Sequence, residues 1–359
     1  MGKIYDYLGN IVIPDSGLED LDDLLPNRLL IWHDEFKNSE LDSSKWRMIQ
    51  GKVNNQYESH SGYTKNQKLV VNLNDNGLTY RAIKDNAFDD VSYTCPFLMT
   101  KDKFEFQYGR IEAKIKFPNS TAHHSTLWTL GACSDRADGE TESVQQVSVG
   151  VAFPSNGEID IAEFDNNSVG ARMHWSSDGF DTSVYASGGN IDSLVATPNE
   201  WHIYAAEWTS SSIDFYVDGV KKGTWATSSA NVGGWNPFHH PHYLILNCIA
   251  ATSGTINWDV METKVAWVRV YAPVGVTTYI KETGISIDAS ASISVGERKW
   301  LEPTFTPAIP SDMTIVWISH NENIVTCYGG MLVGISSGTT FVQCTTKHGY
   351  TALCKVTVT

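Results

Sequence analysis

The sequence predicts an all-β fold, a sandwich or barrel of short antiparallel strands. Three observations carry this prediction. Short runs alternate apolar and polar side chains and are broken by Gly, Asn, Asp and Pro, the period-two pattern of half-buried strands. No stretch sustains the 3.6-residue apolar period of a long helix. Val217-Asp-Gly-Val220 sets Asp-Gly between apolar residues, a two-residue hairpin signal.

Residues 1–27 read as a leader, with a short helix expected over 16–25. Ser16 would be its N-cap, and Glu19 and Asp20 would lie near its positive end. Residues 69–73, 78–82, 104–106 and 110–117 then read as strands, as do 203–207, 213–217, 243–249 and 265–271. Ala272-Pro-Val-Gly275 marks a boundary. The expected division is a main domain over 28–272, a linker over 273–280 and a smaller β module over 281–359.

One strand concentrates the chemistry. In Asn156-Gly-Glu-Ile-Asp-Ile-Ala-Glu-Phe164, Glu158 and Asp160 share a face, while Ile159 and Ile161 take the other. Glu163 is one step out of phase, and a β-bulge at Ile161-Ala162 would bring it back. Three carboxylates would then stand in a row. Like charges this close push their pKa values apart, so one carboxyl keeps a proton while its neighbour is ionised. Glycoside hydrolysis uses such a pair. An acidic surface strand or a calcium site would show the same three residues.

Composition narrows the partners. The chain of 359 residues carries a net charge of −15 with its Lys and Arg spread out. That argues against nucleic acid and against an anionic membrane surface, and suits a substrate that is not a polyanion. Twelve Trp and fifteen Tyr serve a core or the flat faces of a carbohydrate cleft. Cys95, Cys133, Cys248, Cys327, Cys344 and Cys354 show no CxxC spacing, so no zinc or redox motif is expected. Free buried thiols are expected, with a bridge among the last three left open. No apolar run reaches the ~18 residues of a membrane span, so no membrane insertion is expected. The first residues lack a signal-peptide core. Export by another route, a signal removed beforehand, or a place in a phage particle or surface assembly would each reconcile this with a polysaccharide substrate.

The motif Glu158-x-Asp160-x-x-Glu163 resembles the signature of glycoside hydrolase family 16 in its bulged, laminarinase-like form. The resemblance runs in order along the chain. It takes in Trp32-His-Asp-Glu-Phe36, Leu41-Asp-Ser-Ser-Lys-Trp46, Tyr93-Thr-Cys95 and Tyr108-Gly-Arg-Ile-Glu-Ala-Lys-Ile-Lys-Phe-Pro118. It continues through Trp201-His-Ile-Tyr-Ala-Ala-Glu-Trp208, Phe215-Tyr-Val-Asp-Gly219, Pro237-Phe238, Tyr243-Leu-Ile-Leu-Asn247 and Val268-Arg-Val-Tyr271. It implies a concanavalin A-like jelly roll whose concave sheet lines a substrate cleft. The strand pattern after Gly284 resembles the bacterial Ig-like group 2 module, a spacer or surface-attachment unit.

The resemblance also implies roles. Glu158 is the expected nucleophile and Glu163 the general acid/base, with Asp160 between them. Trp128 matches the second tryptophan of the family's Trp-Pro-Ala-Phe-Trp segment, whose first is replaced here by His124. Asn55, Arg110, His174 and Trp175 complete the expected substrate-binding set. Gln56 stands where the family's Asn-Asn-Glu segment has its acid. Core is the other reading of Trp128, His174 and Trp175, and a structural ion pair that of Arg110. No metal is expected at His239, His240 and His242. A structural calcium of the kind found in the family is left open, although Ala266-Trp267 stand where the family has its aspartate ligand, and the mechanism needs no cofactor. The expected function is a monomeric, extracellular or surface-associated retaining endo-β-glucanase acting on β-1,3 or mixed β-1,3/1,4-glucan. A β-galactanase of the agarase, porphyranase or carrageenase kind, or a non-catalytic glucan-binding protein, stands as the alternative.

Overall fold

A computed structural model describes residues 24–52, 61–74, 77–85, 93–137, 147–250 and 256–359. Asn55 and nearly all of the expected leader helix lie outside these residues. Two sheets pack face to face as a β-sandwich of the expected all-β, jelly-roll type. The larger runs, in spatial order, Val220–Ala226, Ser212–Val217, His202–Trp208, Gly109–Lys116, Val260–Tyr271, Gly77–Lys84, Tyr93–Cys95, Ser61–Tyr63 and Gly51–Lys52. Leu30–Asp34 also pairs with Val260–Tyr271, and Val71–Asn74 with Gly77–Lys84. The smaller sheet runs Tyr185–Ile191, Ser168–Ser176, Glu158–Asp165, His123–Gly131, His242–Ala250, Phe97–Met99 and Arg47–Met48.

Period two builds the core between them. Ile111, Ala113 and Ile115 of the larger sheet and Leu127, Ile159 and Phe164 of the smaller are buried in one cluster. Phe117 stacks on Phe164 at 5.3 Å between ring centroids. Each large side chain buried here contributes about 1.5–3 kcal/mol. One polar link crosses the core. The Ser125 hydroxyl meets Tyr80 Oη at 2.9 Å and accepts from Thr263 Oγ1 at 2.8 Å, so its burial carries no unmet hydrogen bond.

The expected hairpin forms at Asp218-Gly219, with φ of 50° and 76°. Two positive φ values give the turn whose twist matches the flanking strands. Residues 69–73 divide differently from expectation. Gln67–Val70 is one helical turn, and the strand begins at Val71. The turn joins Ser61–Tyr63, which pairs parallel with Tyr93–Cys95, to Val71–Asn74, which runs in the same direction. All six cysteines are buried and unbridged.

Residues 284–358 form three further sheets of two, four and three strands, with cores around Val342 and Val356 and around Phe305 and Ile315. This part is docked on the sandwich. Met331 and Trp300 pack with Cys133, Val151, Phe180 and Trp235. The Met313 amide donates to Glu105 O at 2.6 Å, and the Glu105 amide donates to Thr314 Oγ1 at 3.0 Å.

Candidate active site

The acidic strand Glu158–Asp165 lies inside the seven-stranded sheet, between His123–Gly131 and Ser168–Ser176. Its register slips where the phase of Glu163 demands. Asp160 pairs with Arg172 and Glu163 with Gly170, so Ile161 and Ala162 together face Ala171 alone. Against the other neighbour, Glu158 pairs with Leu130, Asp160 with Trp128 and Glu163 with Thr126. This two-against-one count is a β-bulge. It turns Glu158, Asp160 and Glu163 to the outer face of the sheet, while Ile159, Ile161 and Phe164 stay in the core.

A hydrogen-bonded chain fixes one end of the row. His174 Nε2 lies 3.0 Å from Asp160 Oδ2 and 3.7 Å from Glu158 Oε1. Tyr185 Oη lies 2.6 Å from His174 Nδ1. With Asp160 ionised, Nε2–H donates to the carboxylate, and Nδ1 accepts from the tyrosine hydroxyl. The ring is then held in one tautomer and one orientation.

Glu163 closes the other end. Its Oε2 lies 2.7 Å from Arg172 Nε, and its Oε1 lies 3.6 Å from His124 Nε2. Burial, followed by the charge of Asp160, raises the Glu163 pKa above the usual carboxylate range, while Arg172, and His124 and His174 when they carry a proton, pull the other way. The net effect favours the protonated form of Glu163 more than in an exposed glutamate.

The expected residues do not all assemble here. Glu158, Asp160, Glu163, His124 and His174 come together. Trp128 stands on the same face opposite Asp160, largely covered, with its indole N–H donating to Asn247 Oδ1 at 2.7 Å. Arg110 is elsewhere. It lies on the outer face of the larger sheet, where Nε donates to Glu112 Oε1 at 2.7 Å and the guanidinium lies over Tyr216. Its structural reading is the one its surroundings fit. Trp175, one step from His174, points the opposite way into the core and packs on Trp225 at 5.1 Å.

Two residues of the site had not been singled out. Arg172 shares its face with His174, two positions away, so strand parity could have flagged it. Tyr185 enters across a hairpin from the next strand, with no local signal. Beside Tyr185, at 6.5 Å between ring centroids, stands Phe153. The two are 57% and 40% exposed and so present ring faces to solvent beside the acids.

Donor atoms of Glu158, Asp160 and His174 lie within 4.8 Å of one another, close enough to share a cation. The hydrogen bond between His174 and Asp160 already engages two of the three. His239, His240 and His242 do not converge. His242 is buried and bonds Thr129 and Pro237 O. His240 stacks on Trp235 at 4.2 Å, and His239 bonds Ser210 O at 2.8 Å.

The family model described as glycosyl hydrolases family 16 matches residues 49–269. Glucan endo-1,3-beta-glucosidase A1 of Niallia circulans is 27% identical over 277 residues, covering 68% of this chain and 38% of that protein. Keratan-sulfate endo-1,4-beta-galactosidase of Sphingobacterium multivorum is 31% identical over 253 residues, covering 67% of this chain and 54% of that one. The chain thus spans about half or less of these relatives' own length. The crystal structure of LamAcat from Zobellia galactanivorans superimposes with a TM-score of 0.55 at 26% identity, covering 68% of this chain and 97% of that one.

Proposed function

The chain belongs to glycosyl hydrolase family 16, and from that premise we propose that it is a retaining endo-β-glucanase cutting β-1,3 or mixed β-1,3/1,4-glucan. The observation that carries the reading is the one-residue slip in register that lines up Glu158, Asp160 and Glu163 beside His174. Glu158 attacks the anomeric carbon as the bond to the leaving oxygen breaks, and Glu163 gives that oxygen its proton. A covalent glycosyl-enzyme results. A water then attacks the same carbon, Glu163 takes its proton, and Glu158 is released. One glycosidic bond and one water are consumed, and two inversions restore the β configuration.

Asp160 raises the proton affinity of Glu163 by its charge and keeps His174 aligned. His124, Trp128 and His174 are the proposed sugar contacts, with Asn55 joining them on the family resemblance alone. Residues 28–272 form the proposed catalytic domain and 281–359 an Ig-like module. The polysaccharide substrate places the enzyme outside the cell or on its surface.

A second reading, cleavage of a β-galactan, draws on the 31% identical galactosidase and on the Arg172 guanidinium beside Glu163. A panel of laminarin, mixed-linkage β-glucan, agarose, carrageenan and keratan sulfate, read by released reducing ends, separates them. The proposal expects release from laminarin or mixed-linkage glucan. Release from galactans alone selects the second reading, and release from none selects a binding protein.

A further inference from the structure

We propose that the C-terminal strand Arg298–Trp300 is a working part of the substrate site, with Arg298 as a positioning residue for the aromatic wall of Phe153 and Tyr185. Two loops carry that wall. One spans residues 150–157 and leads into Glu158. The other spans 177–184 and leads into Tyr185. They are stitched to each other by Ser155 Oγ, which donates to Gly179 O at 2.6 Å, and by the Ala152 amide, which donates to Asp181 Oδ1 at 2.9 Å.

Arg298 reaches across from the C-terminal sheets and holds both loops at once. Its Nε and Nη2 donate to the two carboxylate oxygens of Asp181 at 2.7 and 3.0 Å, and Nη2 donates to Gly150 O at 2.5 Å. A bidentate guanidinium–carboxylate pair fixes direction as well as distance. Asp181 itself has a φ of 52°, the left-handed region that Asp enters more readily than most residues with a Cβ.

Trp300 seals the same junction. Its ring lies 5.6 Å from Phe180 in the second loop and 5.1 Å from Trp235. The Trp235 indole N–H donates to Ser155 O at 2.7 Å in the first loop. Arg298 therefore holds both loops; the ring contact of Trp300 with Phe180 adds to the second, and the Trp235 hydrogen bond to Ser155 O adds to the first. Phe153 lies between Ala152 and Ser155, both tethered, and Tyr185 follows the tethered loop directly. Displacement of either loop would move the exposed rings and loosen the bond from Tyr185 to His174. Flat exposed rings at this spacing offer stacking surface to a pyranose, so the clamp acts on substrate binding ahead of chemistry.

For its kinetic readout this inference rests on the proposed glycosidase activity; its exchange readout does not. The test uses the full chain with Arg298→Ala and Arg298→Lys, followed by amide hydrogen exchange and by kcat and KM on whichever polysaccharide the wild type cleaves. Losing the bidentate pair should speed exchange in residues 150–157 and 177–184 by roughly five- to thirtyfold, leaving the core strands unchanged. KM should rise by a similar factor with kcat little changed, and Arg298→Lys should recover part of both. Unchanged exchange in the two loops overturns the clamp. Faster exchange with unaltered KM overturns its part in the substrate site. A wild type that cleaves no polysaccharide overturns the glycosidase reading instead, and the exchange result then decides the clamp by itself.

Discussion

Replacing Arg172 with Met should move the alkaline limb of the pH–rate profile to higher pH. The guanidinium favours the ionised form of Glu163, so its removal favours the protonated form, which is the general acid. Opposite charges about 4 Å apart interact by about 4 kcal/mol at an effective dielectric of 20. The Arg172 side chain is 38% exposed, and solvent screening reduces the contribution to about 1 kcal/mol. That corresponds to roughly a fivefold rise in the ratio of protonated to ionised Glu163 at a given pH. Asp160, His124 and His174 also face this carboxyl and are unchanged in the variant. The assay is kcat/KM against pH on the polysaccharide cleaved by the wild type. A limb that stays in place, or moves to lower pH, would refute the assignment of Arg172 as one of the groups, with His124, that offset burial at Glu163.

Two tryptophans should separate binding from stability. Trp175→Ala empties a core position and should lower stability by about 3–5 kcal/mol with KM preserved, as read by thermal unfolding and steady-state kinetics; Trp128→Ala, in the same buried cluster, should lower stability comparably and raise KM as well. A raised KM in the Trp175 variant, with Trp128 silent, would reverse the two. Gly329 has φ of 58°, and an added Cβ would lie 2.5 Å from backbone atoms of Cys133. Gly329→Ala should therefore cost roughly 1–3 kcal/mol, and an unchanged melting temperature would show that the junction yields without strain.

Strand parity explains what could be read from sequence and what was misread. In residues 156–164 the alternation of acids and isoleucines defines two faces, and the phase of Glu163 itself calls for the bulge. The same alternation in Ser168–Ser176 puts His174 with the acids and Trp175 with the core, so the two neighbours could never have shared the site. Arg110 alternates with the core residues Ile111, Ala113 and Ile115, which turns it outward. Nothing local says that its sheet is the one away from the acids. Tyr185 and Phe153 join the site through loops whose paths depend on Arg298 and Trp300, more than 100 residues further along. Such contacts between distant segments leave no period in the sequence. The seating of Gly329 on Cys133 is hidden for the same reason.

The stereochemistry of azide rescue tests the central claim most directly, because it interrogates Glu158 and Glu163 separately. Glu158→Ala removes the proposed nucleophile, and turnover should nearly vanish whatever the leaving group. Azide in the vacated space should attack an activated glucoside from that side and give the inverted α-glycosyl azide. Glu163→Ala removes proton delivery, worth roughly 10²- to 10⁴-fold, yet an aryl leaving group of low pKa should still form the glycosyl-enzyme. Azide should intercept that intermediate and give the β-glycosyl azide. A β product from the Glu158 variant, an α product from the Glu163 variant, or ordinary turnover in the former would contradict the account.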